Sequence, residues 1–157
     1  MPIRRLKKFL DDNAVKYVTT IHSIAYTAQG LAALTHTSGK LLAKTVVIKI
    51  DGKMAMAVLP APWKVDFAYL REAIGAGRVE LANEDDFRNM FPDCEIGAMP
   101  PFGNLYHMEV LVSDLLAHED EISFNAGTHR EMIKMAYKDF ERLVKPKVLS
   151  FSLEAAY

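Results

Sequence analysis

The chain has 157 residues, of which 50% are hydrophobic and 25% are charged. This is typical of one folded domain, which at this size buries roughly 68–70% of its unfolded surface. Its formal net charge of −1 at pH 7 argues against a protein that grips nucleic acid along a long basic face, because phosphate affinity rises with the number of cations. No apolar run approaches the ~20 residues that cross a bilayer, no signal-peptide pattern follows Met1, and the single cysteine excludes an internal disulfide, so we expect a cytoplasmic protein.

The first part of the chain predicts a helix, a strand and a second helix. Apolar residues recur at helical spacing from Ile3 to Leu10, and residues 15–21 are rich in β-branched side chains, which favours a strand. Thr27 can cap a short helix that would end near Ser38 and Gly39. We expect this second helix to border a pocket.

A β-hairpin follows, and it is the clearest local pattern in the sequence. Two apolar strands flank Asp51-Gly52, the dipeptide favoured in two-residue type I′ loops. Such a loop fixes the pairing of the two strands as Ile50 with Lys53, Ile48 with Ala55, Val46 with Ala57 and Lys44 with Leu59. Because both faces are mainly apolar, we expect both to be covered and the hairpin to lie inside a sheet.

The middle of the chain carries helix-capping signals. Asp66 can cap a helix that would end at Gly75, where glycine permits the left-handed backbone of a helix terminus. Residues 79–81 predict a short strand. Asn83, with a carboxylate three residues later, forms a near-capping box for a further helix through Phe91, which the next proline would end.

The last third predicts two strands, at residues 107–113 and 121–125, from their alternating apolar side chains. Two interpretations of the following segment stay open. Residues 128–131 match a capping box and would start a helix, whereas residues 131–137 also alternate as a strand that a shorter helix would follow. No repeat or linker divides the chain, which predicts one α+β domain over residues 1–157.

Two segments carry residues suited to chemistry. On strand alternation Lys44 shares a face with Val46, Ile48 and Ile50, so an ammonium stands at the end of an apolar row and needs a partner, often an anionic ligand. The loop at residues 97–103 has the pattern Gly-x-x-x-Pro-x-Gly, in which glycine permits positive φ and close ligand approach while proline stiffens the chain. Exposed amides of this loop could meet a substrate carbonyl.

The order of these segments, with Phe124 to His129 downstream, resembles the YbaK/ProX family of prolyl-tRNA-synthetase-associated editing domains over residues 6–146. The resemblance implies a mixed, largely antiparallel β-sheet with a barrel-like core surrounded by short helices, and it favours a strand followed by a helix after residue 130. It also implies hydrolysis of the ester bond of misacylated tRNA. That ester is labile, so positioning and charge stabilisation can suffice.

The resemblance further implies roles for individual residues. Lys44 would position the substrate and stabilise charge, loop amides near Gly97 would hold the carbonyl, and His129 would hydrogen-bond the substrate or orient water. Water or the neighbouring ribose hydroxyl would attack. Substrate contacts are implied for His22, Tyr26, Thr45, Pro101, Phe102, Gly103 and Asn125.

Several of these residues have structural alternatives. Lys44 can extend to solvent from a strand end, His129 can be a capping or surface group after a glycine turn, and Tyr26 can pack with its hydroxyl satisfied. Thr45 lies on the strand face opposite Lys44 and suits a strand in any case. Phe102 either walls the pocket or stacks on the terminal adenine.

The sequence lacks a protein nucleophile motif and a metal motif. There is no Gly-x-Ser-x-Gly elbow, and Cys94 lies between Asp93 and Glu95, whose charges would raise the pKa of its thiol. The histidines have no HExxH or paired-ligand spacing. We therefore predict catalysis without a metal or cofactor.

We predict a trans-editing enzyme for tRNA that carries a small amino acid such as alanine, serine, threonine or cysteine, since a pocket excludes larger side chains far better than smaller ones. The predicted partner is the acceptor end of an aminoacyl-tRNA, with an aminoacyl-tRNA synthetase as a second partner and no membrane. The alternative is a non-catalytic module that binds a tRNA end or an adenosine-containing ligand, or that serves as a synthetase partner. Turnover separates the two.

Overall fold

A computed structural model gives the structure of the chain and describes residues 2–22 and 42–154. Within these ranges the helices are α1 (Pro2–Asp12), α2 (Phe67–Ala73), α3 (Glu84–Phe87), α4 (Asp114–Ala117) and α5 (Tyr137–Val144), with a 3-10 turn at Gly103–Leu105. The strands are β1 (Tyr17–Ile21), β2 (Ala43–Ile50), β3 (Lys53–Pro60), β4 (Trp63–Val65), β5 (Val79–Leu81), β6 (Glu109–Ser113), β7 (Glu121–Asn125), β8 (Glu131–Ala136), β9 (Lys147–Leu149) and β10 (Ser152–Glu154).

The strands form three sheets, and a β-bridge links the two larger ones. A five-stranded sheet has the order β5-β2-β3-β6-β9, a three-stranded sheet the order β1-β8-β7, and β10 pairs with β4. Only the pairs β3–β6 and β6–β9 are parallel among these ladders. A parallel bridge between Leu42 and Ser123 joins the two larger sheets. The predicted α+β fold with a mixed, largely antiparallel sheet is confirmed.

The hairpin of β2 and β3 has the register predicted from its loop. Lys44 pairs with Leu59, Val46 with Ala57, Ile48 with Ala55 and Ile50 with Lys53. Asp51 and Gly52 have φ values of 49° and 84°, the two positive angles that a type I′ loop needs. The hairpin is internal, since β5 and β6 flank it.

The two faces of the hairpin bury two separate apolar clusters. The larger cluster includes Val47 and Met56 of the hairpin together with side chains of α1, β7 and α5. The smaller cluster includes Ile48, Ala57 and Leu59 and is covered by α2 and by Phe151. Since alternate residues share a face, Lys44 stands at the rim of the smaller cluster.

The helix predictions are confirmed in part. The Asp66 side chain accepts a hydrogen bond from the Tyr69 N–H at 3.0 Å and caps α2 as expected. The strand-then-helix interpretation is also right, because β8 ends at Ala136 and α5 follows. The helix predicted through Phe91 is wrong in length: α3 ends at Phe87 despite its complete capping box, and the Phe91 ring packs on Tyr106 at 4.6 Å between centroids.

Among the described elements, the short ones β4, α4, β9 and β10 were not predicted, nor was the 3-10 turn at Gly103–Leu105. The helix expected after Thr27 lies outside the described residues. Among the residues that the structure describes, no helix is long and apolar enough to span a bilayer.

Candidate active site

Lys44 lies near the start of β2, where its side chain is partly buried. It lines a surface cleft with Lys64 and with four apolar side chains, Val46, Val65, Phe67 and Leu81. Burial, and secondarily the charge of Lys64, lowers the pKa of the Lys44 ammonium below its ordinary value. Within the described part of the chain the Lys44 ammonium makes no ion pair or hydrogen bond, so it can bind a ligand.

Asn125 is brought towards Lys44 by the link between the sheets. The Leu42–Ser123 bridge is parallel, so the two chains run on in the same direction and Lys44 and Asn125 each lie two residues beyond it. Ala43 and Phe124, the residues between, both enter the larger cluster, and strand alternation turns Lys44 and Asn125 to the other side. Oδ1 of Asn125 is buried and has no hydrogen-bond partner among the described residues. A buried oxygen without a partner lowers the stability of the folded state unless a ligand supplies a hydrogen-bond donor.

The glycine loop is tied to the turn between β7 and β8. The Glu95 N–H donates to the Gly127 carbonyl at 2.8 Å, and the Gly127 N–H donates to the Ala98 carbonyl at 2.8 Å. Gly127 lies two residues after Asn125, which is about 7 Å along an extended chain. The Lys44 strand is therefore attached to the end of β7, and the loop to the turn that directly follows it.

The Gly97 N–H donates its hydrogen bond to a weak acceptor. It is exposed, has φ +86°, and donates to Sδ of Met99 at 3.3 Å. Thioether sulfur is a weak acceptor, so a substrate carbonyl oxygen would replace it favourably. The neighbouring Ala98 N–H already donates to the Glu95 carbonyl at 3.1 Å.

His129 lies against the glycine loop and is only 5% exposed. Nε2 is 2.8 Å from the Ile96 carbonyl, and because a carbonyl only accepts, Nε2 carries the proton in this contact. The His129 N–H also donates to Oε2 of Glu95 at 3.2 Å. The structure thus places His129 against the loop, where it contacts the residues just before Gly97.

Three other residues were predicted to contact the substrate, namely His22, Tyr26 and Thr45. The His22 N–H donates to the Arg130 carbonyl at 2.8 Å, beside the turn that holds the loop. Tyr26 lies outside the described residues. Thr45 is partly buried on the face of β2 opposite Lys44, as expected from alternation, and so does not share the Lys44 cleft.

Three loop residues predicted to touch substrate, Pro101, Phe102 and Gly103, are all buried. The Phe102 ring is 0% exposed and packs against the rings of Phe9, Phe124 and Phe140, which makes it part of the larger apolar cluster. A Cβ at Gly103 would lie 2.6 Å from the Met108 carbonyl oxygen. The buried residues 101–103 anchor the loop that carries Gly97 in the protein core.

Cys94 is not an activated nucleophile. Its pKa is raised to about 11, chiefly by burial and to a smaller extent by Asp93, so the thiol stays protonated at neutral pH. The predicted direction is right, although burial contributes more than the flanking charges. Its Sγ lies 3.2 Å from the Tyr106 hydroxyl, within the wall of the larger core.

Lys64 is the residue that the sequence interpretation missed. It lies in β4, a three-residue strand after two prolines, and no local pattern distinguishes it from any surface lysine. Only the packing of β4 near the start of β2 brings it to Lys44. No group of three or more His, Cys, Asp or Glu side chains suited to a metal occurs within residues 2–22 and 42–154.

Comparison with known proteins identifies the family of this fold. A family model described as an aminoacyl-tRNA editing domain matches residues 22–143. The chain is 28% identical over 155 residues to the multifunctional Ser/Thr-tRNA deacylase ProXp-y of Escherichia coli (strain K12), covering 94% of this chain and 91% of that protein. It is 26% identical over 149 residues to a proline–tRNA ligase of Macrococcus caseolyticus, covering 88% of this chain and 26% of the ligase.

Solved structures show the same fold at lower identity. The hypothetical protein APE2540 superposes with a TM-score of 0.85 at 16% identity, covering 96% of this chain and 100% of that one. A structure provisionally assigned as a trans-editing enzyme for prolyl-tRNA synthetase superposes with a TM-score of 0.81 at 18% identity, covering 97% of each chain.

Proposed function

The chain belongs to the aminoacyl-tRNA editing domain family, and from this membership and the geometry of the site we propose that it hydrolyses the ester of tRNA misacylated with a small amino acid. The family and the enzyme class predicted from the sequence, an aminoacyl-tRNA deacylase, are confirmed by the comparisons. The observation that carries the substrate proposal is the partly buried Lys44, a cation without an ion pair in the described residues that lines an otherwise mainly apolar cleft.

Serine and threonine are the amino acids that we propose first. The relative that matches over 94% of this chain is named a Ser/Thr-tRNA deacylase. Alanine and cysteine remain proposed substrates of second rank, because a pocket that admits serine or threonine excludes smaller side chains only weakly. We also propose that residues 1–157 act as a single domain in trans.

The proposed mechanism uses positioning and charge stabilisation. The ester carbonyl would accept a hydrogen bond from the Gly97 N–H, which exchanges the weak Met99 sulfur for an oxygen that gains negative charge. Lys44 would stabilise that charge or hold the adjoining nucleotide. Water or the free ribose hydroxyl would attack the carbonyl carbon, so that no covalent acyl-enzyme forms, in agreement with the protonated Cys94 thiol.

The proposal is tested with a panel of tRNAs charged with alanine, serine, threonine, cysteine or proline. Loss of the aminoacyl ester at catalytic protein concentrations, above the spontaneous rate, is expected for serine and threonine and to a smaller extent for alanine or cysteine. Retention of every ester, together with saturable binding of the same tRNAs, would overturn the proposal in favour of the binding module.

Asn125 yields a more specific prediction about substrate recognition. Because its buried Oδ1 has no partner in the described residues, we assign it to the protonated α-amino group of the substrate, the donor nearest the ester. Hydrogen bonds to charged groups contribute about 1.5–3 kcal/mol, so Asn125→Leu should raise KM for Ser-tRNA by roughly 10- to 100-fold. Asn125→Asp keeps an acceptor and should retain binding.

N-acetyl-Ser-tRNA provides the control for this assignment, since its nitrogen carries no charge. The wild-type protein should cleave it slowly, and Asn125→Leu should cause no further loss. An equal loss on both substrates would contradict recognition of the amino group. Stability should not fall in Asn125→Leu, because removing a buried polar atom without a partner is neutral or stabilising.

A further inference from the structure

The cleft that contains Lys44 holds a second cation that the mechanism above does not use. Lys64 lines the same cleft of about 260 Å³, whose remaining walls are apolar. Trp63 and Val65, which flank Lys64 in β4, pack against the smaller apolar cluster, and pairing of Lys64 with Leu153 fixes β4 to β10. A packed strand therefore holds the Lys64 backbone in place beside β2.

The charges in this cleft are not compensated by the residues that the structure describes. Neither Lys44 nor Lys64 forms an ion pair with a described residue, although other lysines of the chain do, such as Lys49 with Asp86 at 3.0 Å. The effect of Lys64 on Lys44 is repulsive and helps to lower the Lys44 pKa. Two uncompensated cations over an apolar floor concentrate positive potential in one place, and in a chain of net charge −1 this is a local feature.

We propose that Lys64, together with Lys44, binds the phosphodiester that precedes the terminal aminoacylated nucleotide of the tRNA. This inference rests on the proposed function, which brings an RNA 3′ end to Lys44. Lysine binds phosphate as a point charge, and the apolar floor leaves room for a sugar or base face beside it. Lys64 is a binding residue in this scheme and takes no part in the chemical step.

The test uses an uncharged RNA minihelix that ends in CCA, so that binding is measured without turnover. Lys64→Gln should weaken its binding by about 5- to 20-fold in fluorescence anisotropy, and the slope of log affinity against log salt should become shallower by about 0.7, the value for one phosphate of a single strand. Lys53→Gln is the matched control: this lysine is exposed at the far end of the same hairpin and should leave affinity unchanged.

A second minihelix, with a neutral methylphosphonate in place of the terminal phosphodiester, locates the contact. It should bind the wild-type protein more weakly than the natural RNA binds Lys64→Gln, because it loses the contact with Lys44 as well, and Lys64→Gln should cause no further loss on this RNA. Equal affinity of wild type and Lys64→Gln for the natural RNA would overturn the inference, as would an equal loss on both RNAs. Failure of the proposed function would give a different result. The aminoacyl-tRNA panel would then show no hydrolysis, whether or not Lys64 binds the phosphodiester.

Discussion

Replacing Lys44 by alanine should abolish deacylation while the fold remains intact. Removing a group that stabilises developing charge typically lowers kcat by about 100- to 1000-fold, and we expect a loss of this size in kcat/KM for Ser-tRNA and Thr-tRNA. Single-turnover hydrolysis with enzyme in excess measures the chemical step directly, so that weak binding alone does not produce the loss.

The structural consequence of the same change separates catalysis from folding. The Lys44 ammonium is desolvated and repelled by Lys64, so its charge lowers the stability of the folded state. The melting temperature of Lys44→Ala should therefore be unchanged or slightly raised. Lys44→Met, which keeps the length of the side chain without its charge, should lose activity equally.

The matched control for Lys44 is Lys53→Met in the same hairpin. Lys53 is exposed and lies beside the loop residues Asp51 and Gly52, so its removal should leave both activity and melting temperature close to wild type. Retained single-turnover activity in Lys44→Met would show that the cation is dispensable and would remove Lys44 from the proposed mechanism.

The elements that were predictable from sequence are those whose cause is local. The register of β2 and β3 follows from a two-residue loop, and the start of α2 follows from one capping side chain. The three-residue strands β4, β9 and β10 have no such cause, because partners distant in the chain select them. The early end of α3 has the same origin, since the Phe91 contact with Tyr106 lies outside the helix.

The same distinction between local and tertiary causes decides which features of the candidate site were predictable. The positive φ of Gly97 was predictable from the residue type, and the face of Lys44 from strand alternation. Burial of Phe102 was not, because a Gly-Pro loop does not reveal which half enters the core. Two features depend on tertiary packing between residues distant in the chain. Lys64 lies 20 positions after Lys44, and the hydrogen bond between His129 and the Ile96 carbonyl joins residues 33 positions apart.

Replacing Gly97 by alanine should lower kcat on the order of 100-fold, the effect of losing one hydrogen bond to a developing oxyanion. At φ +86° an L-residue is strained, and its Cβ would lie 3.4 Å from Cε1 of His129. The backbone can relieve both by rotating, which turns the Gly97 N–H away from the substrate. The effect should fall on kcat more than on KM, because that hydrogen bond strengthens in the transition state.

Gly75→Ala is the control that isolates this effect from backbone strain. Gly75 has φ +68°, and a Cβ there would meet nothing within 4 Å. It directly follows Ile74, the C-cap residue of α2. Both variants should lose about 1–3 kcal/mol of unfolding free energy through the positive φ, but only Gly97→Ala should lose activity. If the two lose stability alike and both keep wild-type kcat, Gly97 is a turn residue and the oxyanion must be held elsewhere. A selective loss of kcat would instead support the Gly97 amide as its donor, because strain is common to both variants and the position of the N–H is not.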